Sequence, residues 1–263
     1  MAHTSVSSRE RMLAAIDRRA GNAVPFSFMI FAALRNSCRD MLEYAERQVE
    51  LGVDATVEMP PIPIREVNDH LDAPGLPIRL DPRVKVREWK EADPGGCDPL
   101  LHKEYDTPSG QLRTVVKQTR DWPYGDHVPF LDDYLVPRSV RFLLEPGDSL
   151  AALRHLLTPV TAADLVQFRD YAARARRLAD RHGLLLRASR TYGLELASFL
   201  CGMEKVILYA MDDPGFIEEL VGRIYAWNTE RMDIMLEAGA QLVLRSGWYE
   251  STDLWSPDLF RRF

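Results

Sequence analysis

The chain has 263 residues, of which 46% are hydrophobic and 27% are charged, a balance typical of a globular protein with one large core or two modest ones. Its formal net charge of −6 disfavours attraction to nucleic acid or to an anionic membrane, since both favour a basic surface. No segment has the length and apolarity of a signal peptide or a membrane span. Cys38, Cys97 and Cys201 are far apart and form no CxxC motif, so the sequence indicates neither a disulfide framework nor a cysteine-rich zinc site. We therefore expect a protein of the reducing cytoplasm that acts on small molecules.

The beginning of the chain predicts two core strands separated by a helix. Residues 24–30 are rich in β-branched and aromatic side chains, which is typical of a buried strand. Apolar residues then recur at helical spacing from 38 to 51, and residues 54–59 form a second strand-like run that includes Glu58 near its end. An amphipathic helix precedes the first of these strands.

The pattern changes between residues 60 and 160, where proline and glycine accumulate and short alternating runs replace the helical spacing. We interpret this region as an insertion of β-hairpins. Two runs joined by Pro108 and Gly110 predict antiparallel strands, because these two residues supply the backbone angles that a tight turn requires. A strand-like run at 139–145 and a short helix that ends at residue 157 complete the predicted insertion.

Strand and helix alternate again in the last part of the chain. Thr161 and Asp164 form a capping-box-like start for a long amphipathic helix. This helix leads into a predicted strand at 184–190, and further helices connect that strand to another at 241–247. Such an order is typical of an α/β barrel or a doubly wound sheet, and both place their chemistry at the carboxyl ends of the strands.

Basic residues on the last two predicted strands form a cluster with aromatic residues that come just after the last strand. The candidate binding residues there are Arg187, Arg190, Arg245, Ser246, Trp248 and Tyr249. Arginine is costly inside a strand unless it meets an anion, and its planar guanidinium suits a carboxylate or a phosphate. The cluster therefore predicts a binding site for an acidic small molecule. As an alternative, the arginines pair with Glu58, Glu195 or Glu250 in a purely structural network.

Other recognised signatures of chemistry are missing from the sequence. There is no glycine-rich nucleotide-binding fingerprint and no GxSxG nucleophile motif. The six histidines are scattered, and none lies three or four residues from another, which disfavours a metal site built inside the chain. The acidic-ligand site is therefore the main functional prediction from the residues themselves.

Three segments of the chain resemble the uroporphyrinogen decarboxylase superfamily, which also contains the corrinoid-dependent methyltransferases. These segments are residues 7–28, 193–221 and 236–263. The resemblance implies a TIM-type (β/α)8 barrel, of which the chain would supply about the first four β/α units in a single domain of residues 1–263. The hairpin region 60–160 would then be an insertion within that domain, and the chain would be C-terminally incomplete.

The same resemblance implies roles for individual residues. In decarboxylases of this superfamily, an arginine-bearing segment follows the first strand. Arg35 and Arg39 are the corresponding candidates in this sequence. Glu58 occupies the end of the second strand, where the family has an aspartate, and it is the candidate catalytic carboxylate. Phe199 stands where the family has a tyrosine. The resemblance as a whole implies an acidic or tetrapyrrole-type substrate.

The resemblance leaves several chemistries open. Corrinoid-dependent methyl transfer is the preferred one for a full-length form, with a corrinoid partner protein and a zinc ion whose ligands are expected beyond residue 263. The alternatives are uroporphyrinogen decarboxylation, which needs no cofactor, and a non-catalytic anion-binding module or inactive remnant. An unclosed barrel would also leave open sheet edges at 24–30 and 241–247, so we expect pairing of these edges in a homo-oligomer.

Overall fold

The computed structural model describes residues 6–19, 24–27, 32–64, 78–130, 138–148, 150–191, 193–247 and 250–263. Its strands are β1 (Thr56–Glu58), β2 (Lys85–Glu91), β3 (Leu100–Thr107), β4 (Gly110–Lys117), β5 (Ser139–Arg141), β6 (Leu185–Thr191) and β7 (Leu242–Ser246). Its helices are α1 (Ser8–Ile16), α2 (Ala32–Asn36), α3 (Met41–Glu50), α4 (Leu150–Leu153), α5 (Ala162–His182), α6 (Gly193–Cys201), α7 (Met203–Asp212), α8 (Pro214–Glu237) and α9 (Pro257–Arg262). Within these described residues, no helix combines the length and the apolarity that crossing a lipid bilayer requires.

The chain folds into two compact units, each assembled from three separate segments. The first unit comprises Met1–Asn68, Thr161–Arg190 and Arg231–Leu244. The second unit comprises Asp69–Val160, Thr191–Glu230 and Arg245–Phe263.

A three-stranded parallel sheet in the order β1-β6-β7 forms the framework of the first unit. The register between β1 and β6 places Val57 opposite Leu186 and Glu58 opposite Arg187. Successive side chains of a strand point to opposite faces, which is why Val57 is fully buried while the adjacent Glu58 is partly exposed. Helices α3 and α5 contact β1 and each other. This packing leaves Glu58 at the carboxyl end of its strand.

Helix α5 begins where the capping-box pattern predicts. The Thr161 hydroxyl accepts a hydrogen bond from the Asp164 N–H, and the Asp164 carboxylate accepts one from the Thr161 N–H. The helix ends at Gly183, whose φ of 61° lies in the left-handed region, and a Cβ at this position would lie only 2.8 Å from the Cβ of Ser7. Its buried face consists of Phe168, Ala172, Ala175, Leu178 and Ala179.

An antiparallel sheet in the order β2-β3-β4-β5 belongs to the second unit. The predicted hairpin is confirmed, because β3 and β4 pair in a register that brings Thr107 opposite Gly110 across a two-residue turn. Tyr105 and Leu112 on this hairpin are buried together with residues of α4, α6 and α7. The second unit therefore has its own hydrophobic core of sheet and helices.

The predicted TIM-type (β/α)8 barrel is wrong. The described residues contain a three-stranded parallel sheet and a separate four-stranded antiparallel sheet, without a closed barrel. Of the predicted core strand 24–30, residues 24–27 form no strand and residues 28–30 lie outside the described part. Among the described residues, the outer strands of the parallel sheet are β1 and β7. Alternating strands and helices occur in barrels and in open sheets alike, so this local pattern does not decide closure.

Candidate functional site

Glu58, the last residue of β1, forms an ion pair with Arg187, the third residue of β6. The Arg187 Nη2 donates a hydrogen bond to the Glu58 Oε2 at 2.8 Å. The two residues meet because they are register partners in adjacent parallel strands, so their side chains leave the same face of the sheet. Each side chain is 28% exposed, which places the pair at the surface of the first unit. Carboxyl ends of parallel strands are the usual position of binding sites in α/β sheets.

Two tyrosines on the helices that pack against β1 lie within electrostatic reach of this pair. Burial raises the pKa of Tyr44 on α3, and the positive charges of Arg35 and Arg187 oppose this effect. Burial also raises the pKa of Tyr171 on α5 to about 12, and the negative charges of Asp40 and Glu58 add to the increase. Both phenols therefore remain protonated at neutral pH and can donate hydrogen bonds.

We call Arg35, Tyr44, Glu58, Tyr171 and Arg187 the rim site. It combines guanidinium groups, protonated phenols and one carboxylate. The Nε of Arg187 is buried and has no hydrogen-bond partner among the residues that the structure describes. An unsatisfied buried donor typically costs about 1 to 3 kcal/mol. The rim site therefore holds an arginine whose hydrogen-bonding capacity is only partly used.

Among the other predicted arginines, Arg39 lies apart from the rim site and Arg35 belongs to it. Arg39 forms an exposed ion pair with Glu43, at 2.7 Å between Arg39 Nε and Glu43 Oε2, and the Arg39 side chain is 89% exposed. Arg190 lies in β6, but its side chain falls outside the described residues. Arg35 is exposed in α2, and its charge contributes to the rim site through Tyr44.

Arg245 belongs to the second unit, where it pairs with Glu250. The Arg245 Nη2 donates to the Glu250 Oε2, while the Glu250 Oε1 accepts a hydrogen bond from the Glu195 N–H at 3.0 Å. Glu250 thereby caps the amino terminus of α6. A Cβ at Gly193 would lie 2.8 Å from the Glu250 Oε1, so a glycine with its φ of 62° suits this approach. The pairing matches the alternative interpretation that Arg245 and Glu250 form a structural contact.

Of the remaining predicted binding residues, Phe199 does not belong to the rim site, and the side chains of the others fall outside the described part of the structure. Phe199 lies in α6 and packs against the hydrophobic core of the second unit. Ser246 lies in β7, but its side chain falls outside the described residues, as do Trp248 and Tyr249 entirely. The sharing of one cleft by Arg187 and Arg245 stays a prediction, although their strands β6 and β7 are neighbours as expected.

The described residues do not fit the zinc ion that the methyltransferase resemblance implies. They contain no group of three or more His, Cys, Asp and Glu side chains that could hold a metal ion. Cys201 is buried in the apolar core of the second unit, and burial raises the pKa of its thiol well above the ordinary range. A cysteine binds zinc as the thiolate, which this environment opposes. Cys201 is therefore unsuited to hold the ion.

Tyr44 and Tyr171 are the residues of the rim site that the sequence did not predict. Both lie inside helices, where a single tyrosine carries no signal of its own. The helical spacing that predicts α3 and α5 could have identified the face on which each tyrosine lies, but it could not identify which strand end that face meets.

Comparison of the chain with models of known protein families, with curated proteins and with solved structures yields no match. The resemblance to the uroporphyrinogen decarboxylase superfamily therefore stays a prediction. The geometry of the rim site is the main support for a function.

Proposed function

We propose that the first unit binds a small molecule bearing carboxylate groups, and that the rim site holds one of these carboxylates. The observation that supports this proposal best is the partly used guanidinium of Arg187, which lies in β6 opposite the carboxyl end of β1. Its Nη2 contacts Glu58 at 2.8 Å, whereas its buried Nε has no partner among the described residues. A ligand of the class that the sequence resemblance implies, a tetrapyrrole with carboxylate side chains, fits this proposal.

The Nε and Nη2 of an arginine form an edge that can bind both oxygens of one carboxylate. A ligand carboxylate that displaces Glu58 from this edge would satisfy the unpaired Nε and replace the existing contact. The guanidinium lies near the surface, because 28% of the Arg187 side chain is exposed. Displacement therefore needs a local movement of Glu58 and no opening of the core.

The neighbouring groups of the rim site favour an acidic ligand. Tyr44 and Tyr171 have raised pKa values because of burial, so they offer O–H donors rather than phenolate charges. Arg35 adds a second positive charge within electrostatic reach of Tyr44. A molecule with two or more carboxylates can bind both arginines. Its carboxylate oxygens can also accept hydrogen bonds from the two phenols.

The test is a fluorescence titration of the purified chain with uroporphyrin, with its methyl ester as the uncharged control ligand. Wild type should bind uroporphyrin with saturation and should bind the ester more weakly. Arg187→Met keeps most of the side-chain volume but removes the charge, and we expect the dissociation constant to rise at least about tenfold, since a hydrogen bond to a charged group contributes about 1.5 to 3 kcal/mol. Arg39→Met is the matched control and should bind like wild type, because Arg39 is 89% exposed and pairs with Glu43.

Saturable binding that is unaffected by Arg187→Met would contradict the proposed site, and a lack of binding by wild type would contradict the ligand class. The same samples test catalysis when uroporphyrinogen is supplied and the carboxylates of the product are counted. Turnover that disappears in Glu58→Gln would assign proton transfer or substrate positioning to Glu58, and a lack of turnover would restrict the proposal to binding.

We further propose self-association through β7, an edge strand of the parallel sheet. Val243 and Leu244 are adjacent in this strand and are 45% and 44% exposed, so both faces of the edge present apolar surface. Sedimentation velocity should show a concentration-dependent dimer or larger species, and Val243→Lys should shift it towards the monomer. A wild-type monomer at all concentrations would refute this proposal.

A further inference from the structure

The second unit brings a serine, a histidine and an aspartate into one line of hydrogen bonds. Ser109 lies in the turn between β3 and β4, His155 follows α4, and Asp81 precedes β2. The Ser109 Oγ lies 3.0 Å from the His155 Nε2, and the His155 Nδ1 lies 2.9 Å from the Asp81 Oδ2. Three separate segments thus place a hydroxyl, an imidazole and a carboxylate in the order that nucleophilic catalysis uses.

The protonation of this line follows from Asp81. Hydrogen bonds from Arg83 hold the pKa of Asp81 well below its usual range, and a further one from His155 lowers it more. An ionised carboxylate only accepts hydrogen bonds. The His155 Nδ1 therefore carries a proton and donates the hydrogen bond to Asp81. The Nε2 lone pair then faces the Ser109 hydroxyl, and it also accepts a hydrogen bond from the Arg154 Nε at 3.3 Å. This is the tautomer that a general base requires.

The base is held in place while the nucleophile stays within reach of solvent. His155 is only 4% exposed, and its backbone carbonyl accepts a hydrogen bond from the Asp81 N–H at 2.8 Å, which ties the two segments together. Ser109 is partly exposed in a turn where the Thr107 hydroxyl accepts from the Ser109 N–H at 3.1 Å and donates to the Gly110 carbonyl at 2.7 Å. A fixed base beside an accessible hydroxyl is the arrangement that a small substrate needs.

Arg154 connects this line to a neighbouring groove. Its Nη2 donates to the Ser109 Oγ at 2.9 Å. The exposed guanidinium can stabilise negative charge that develops beside the serine. Arg154 also lines a groove of about 340 Å³ in the second unit. Apolar lining is supplied by Leu153, Leu157, Pro159, Ala226 and Trp227. Arg223 and Glu230 add charged groups to the lining. Arg154 contacts both the groove and the Ser109 hydroxyl, so a small apolar acyl group in the groove can turn its carbonyl oxygen towards Arg154.

We propose that Ser109, His155 and Asp81 hydrolyse small esters of apolar carboxylic acids. The Ser109 Oγ forms a bond to the acyl carbon while its proton moves to the His155 Nε2, and Arg154 donates to the carbonyl oxygen as it gains negative charge. The bond from the acyl carbon to the alcohol oxygen breaks, and the leaving alcohol takes the proton from Nε2. Water then attacks the acyl-serine by the same route and releases the acid and the free serine. Asp81 is a positioning residue, because it acts through His155.

A purely structural role is the competing explanation, since the same hydrogen bonds also fasten the hairpin turn to the segment after α4. The two explanations differ in reactivity. The test is labelling of the full chain with a fluorophosphonate probe, with mass-spectrometric identification of the labelled peptide, and in parallel the hydrolysis of p-nitrophenyl butyrate.

We expect covalent labelling at Ser109 and its loss in Ser109→Ala. His155→Gln should slow labelling by at least about a hundredfold, which is the lower range for a general base. Asp81→Asn should slow it at least about tenfold and move its rise with pH to lower pH, because the imidazolium loses its anionic partner. Ser251→Ala is the control, since its hydroxyl also lies beside a carboxylate, 3.4 Å from the Asp253 Oδ2, and it should be labelled like wild type.

Folded wild type that takes no label, or label that persists in Ser109→Ala, would overturn the proposal. Ser109→Cys keeps the test decisive if the alanine variant unfolds. The thiol that this variant introduces should react with iodoacetamide faster than the exposed Cys97, because His155 can take its proton. An introduced thiol that reacts no faster than Cys97 would also overturn the proposal, since a structural clamp gives no activation.

Discussion

Removal of the Asp54 carboxylate should destabilise the first unit more than removal of any surface carboxylate. The Asp54 side chain is 7% exposed and pairs with Arg11, whose Nε and Nη2 donate to the Oδ1 at 3.0 and 2.5 Å. The Phe26 N–H donates to the Oδ2 at 2.8 Å. Burial raises the pKa of Asp54, but the hydrogen bonds from Arg11 and Phe26 outweigh it, so the pKa lies below the ordinary 3.8.

The magnitude follows from what the substitution leaves behind. Asp54→Ala removes the carboxylate to which the Arg11 guanidinium and the Phe26 N–H donate. Breaking a fully buried ion pair in this way costs about 3 to 5 kcal/mol. The Arg11 side chain is 29% exposed and can regain part of its hydration, which reduces the cost. We expect the free energy of unfolding to fall by about 2 to 4 kcal/mol.

Urea unfolding followed by far-UV circular dichroism at pH 7 measures this loss. Asp17→Ala is the matched control, because Asp17 forms an exposed ion pair with Arg19 at 3.1 Å and is 53% exposed. The control should change the free energy of unfolding by less than about 1 kcal/mol. An Asp54→Ala variant that unfolds within about 0.5 kcal/mol of wild type, a difference typical of ordinary surface substitutions, would refute the reasoning.

The same variant has a defined pH dependence. Because the folded pKa of Asp54 is lowered, its stabilising contribution is present above the unfolded value of 3.8 and is lost as the pH falls through the lower folded value. The difference between wild type and Asp54→Ala should therefore shrink when the titrations are repeated in steps from pH 5 towards pH 3. A difference that grows over this interval would contradict the assigned direction.

Three further predictions concern a buried side chain of α5, the reactivity of two thiols and the cap of α6. Phe168→Ala should lower the free energy of unfolding by about 3 to 5 kcal/mol, because Phe168 is fully buried in α5, whereas Val166→Ala in the same helix should cost less than about 0.5 kcal/mol, since Val166 is 69% exposed. In the folded chain, a thiol reagent at pH 8 should modify the exposed Cys97 and leave Cys201 unmodified, because burial raises the pKa of the Cys201 thiol. Rapid modification of Cys201 without unfolding would contradict this. Glu250→Ala should cost about 0.5 to 2 kcal/mol by uncapping α6, and an unchanged urea midpoint would show that the cap is dispensable.

Several elements were predictable from local sequence patterns. The β3–β4 hairpin follows from alternating side chains on both sides of a turn with Pro108 and Gly110, and these signals involve residues that are neighbours in the chain. The start of α5 follows from Thr161 and Asp164, which are three residues apart and bond each other. Local geometry alone determines such features, so tertiary contacts had little to override.

The candidate site was predictable only in part. Composition and position identified Glu58 at a strand end and Arg187 within a strand, but they are 129 residues apart, and only the register of β1 against β6 makes them partners. Tyr44 and Tyr171 join them because α3 and α5 both pack against β1. Which helix face meets which strand end depends on the packing of the whole unit.

By itself, the sequence determined the hairpin, the helix caps and the alternation of strands and helices, because each depends on residues close together in the chain. Only the tertiary structure decided that the parallel strands form an open sheet of three rather than part of a barrel, since closure depends on pairing between distant strands. The approach of Ser109, His155 and Asp81 was decided in the same way. Their spacing in sequence carries no motif, and the folding of three separate segments supplies the geometry.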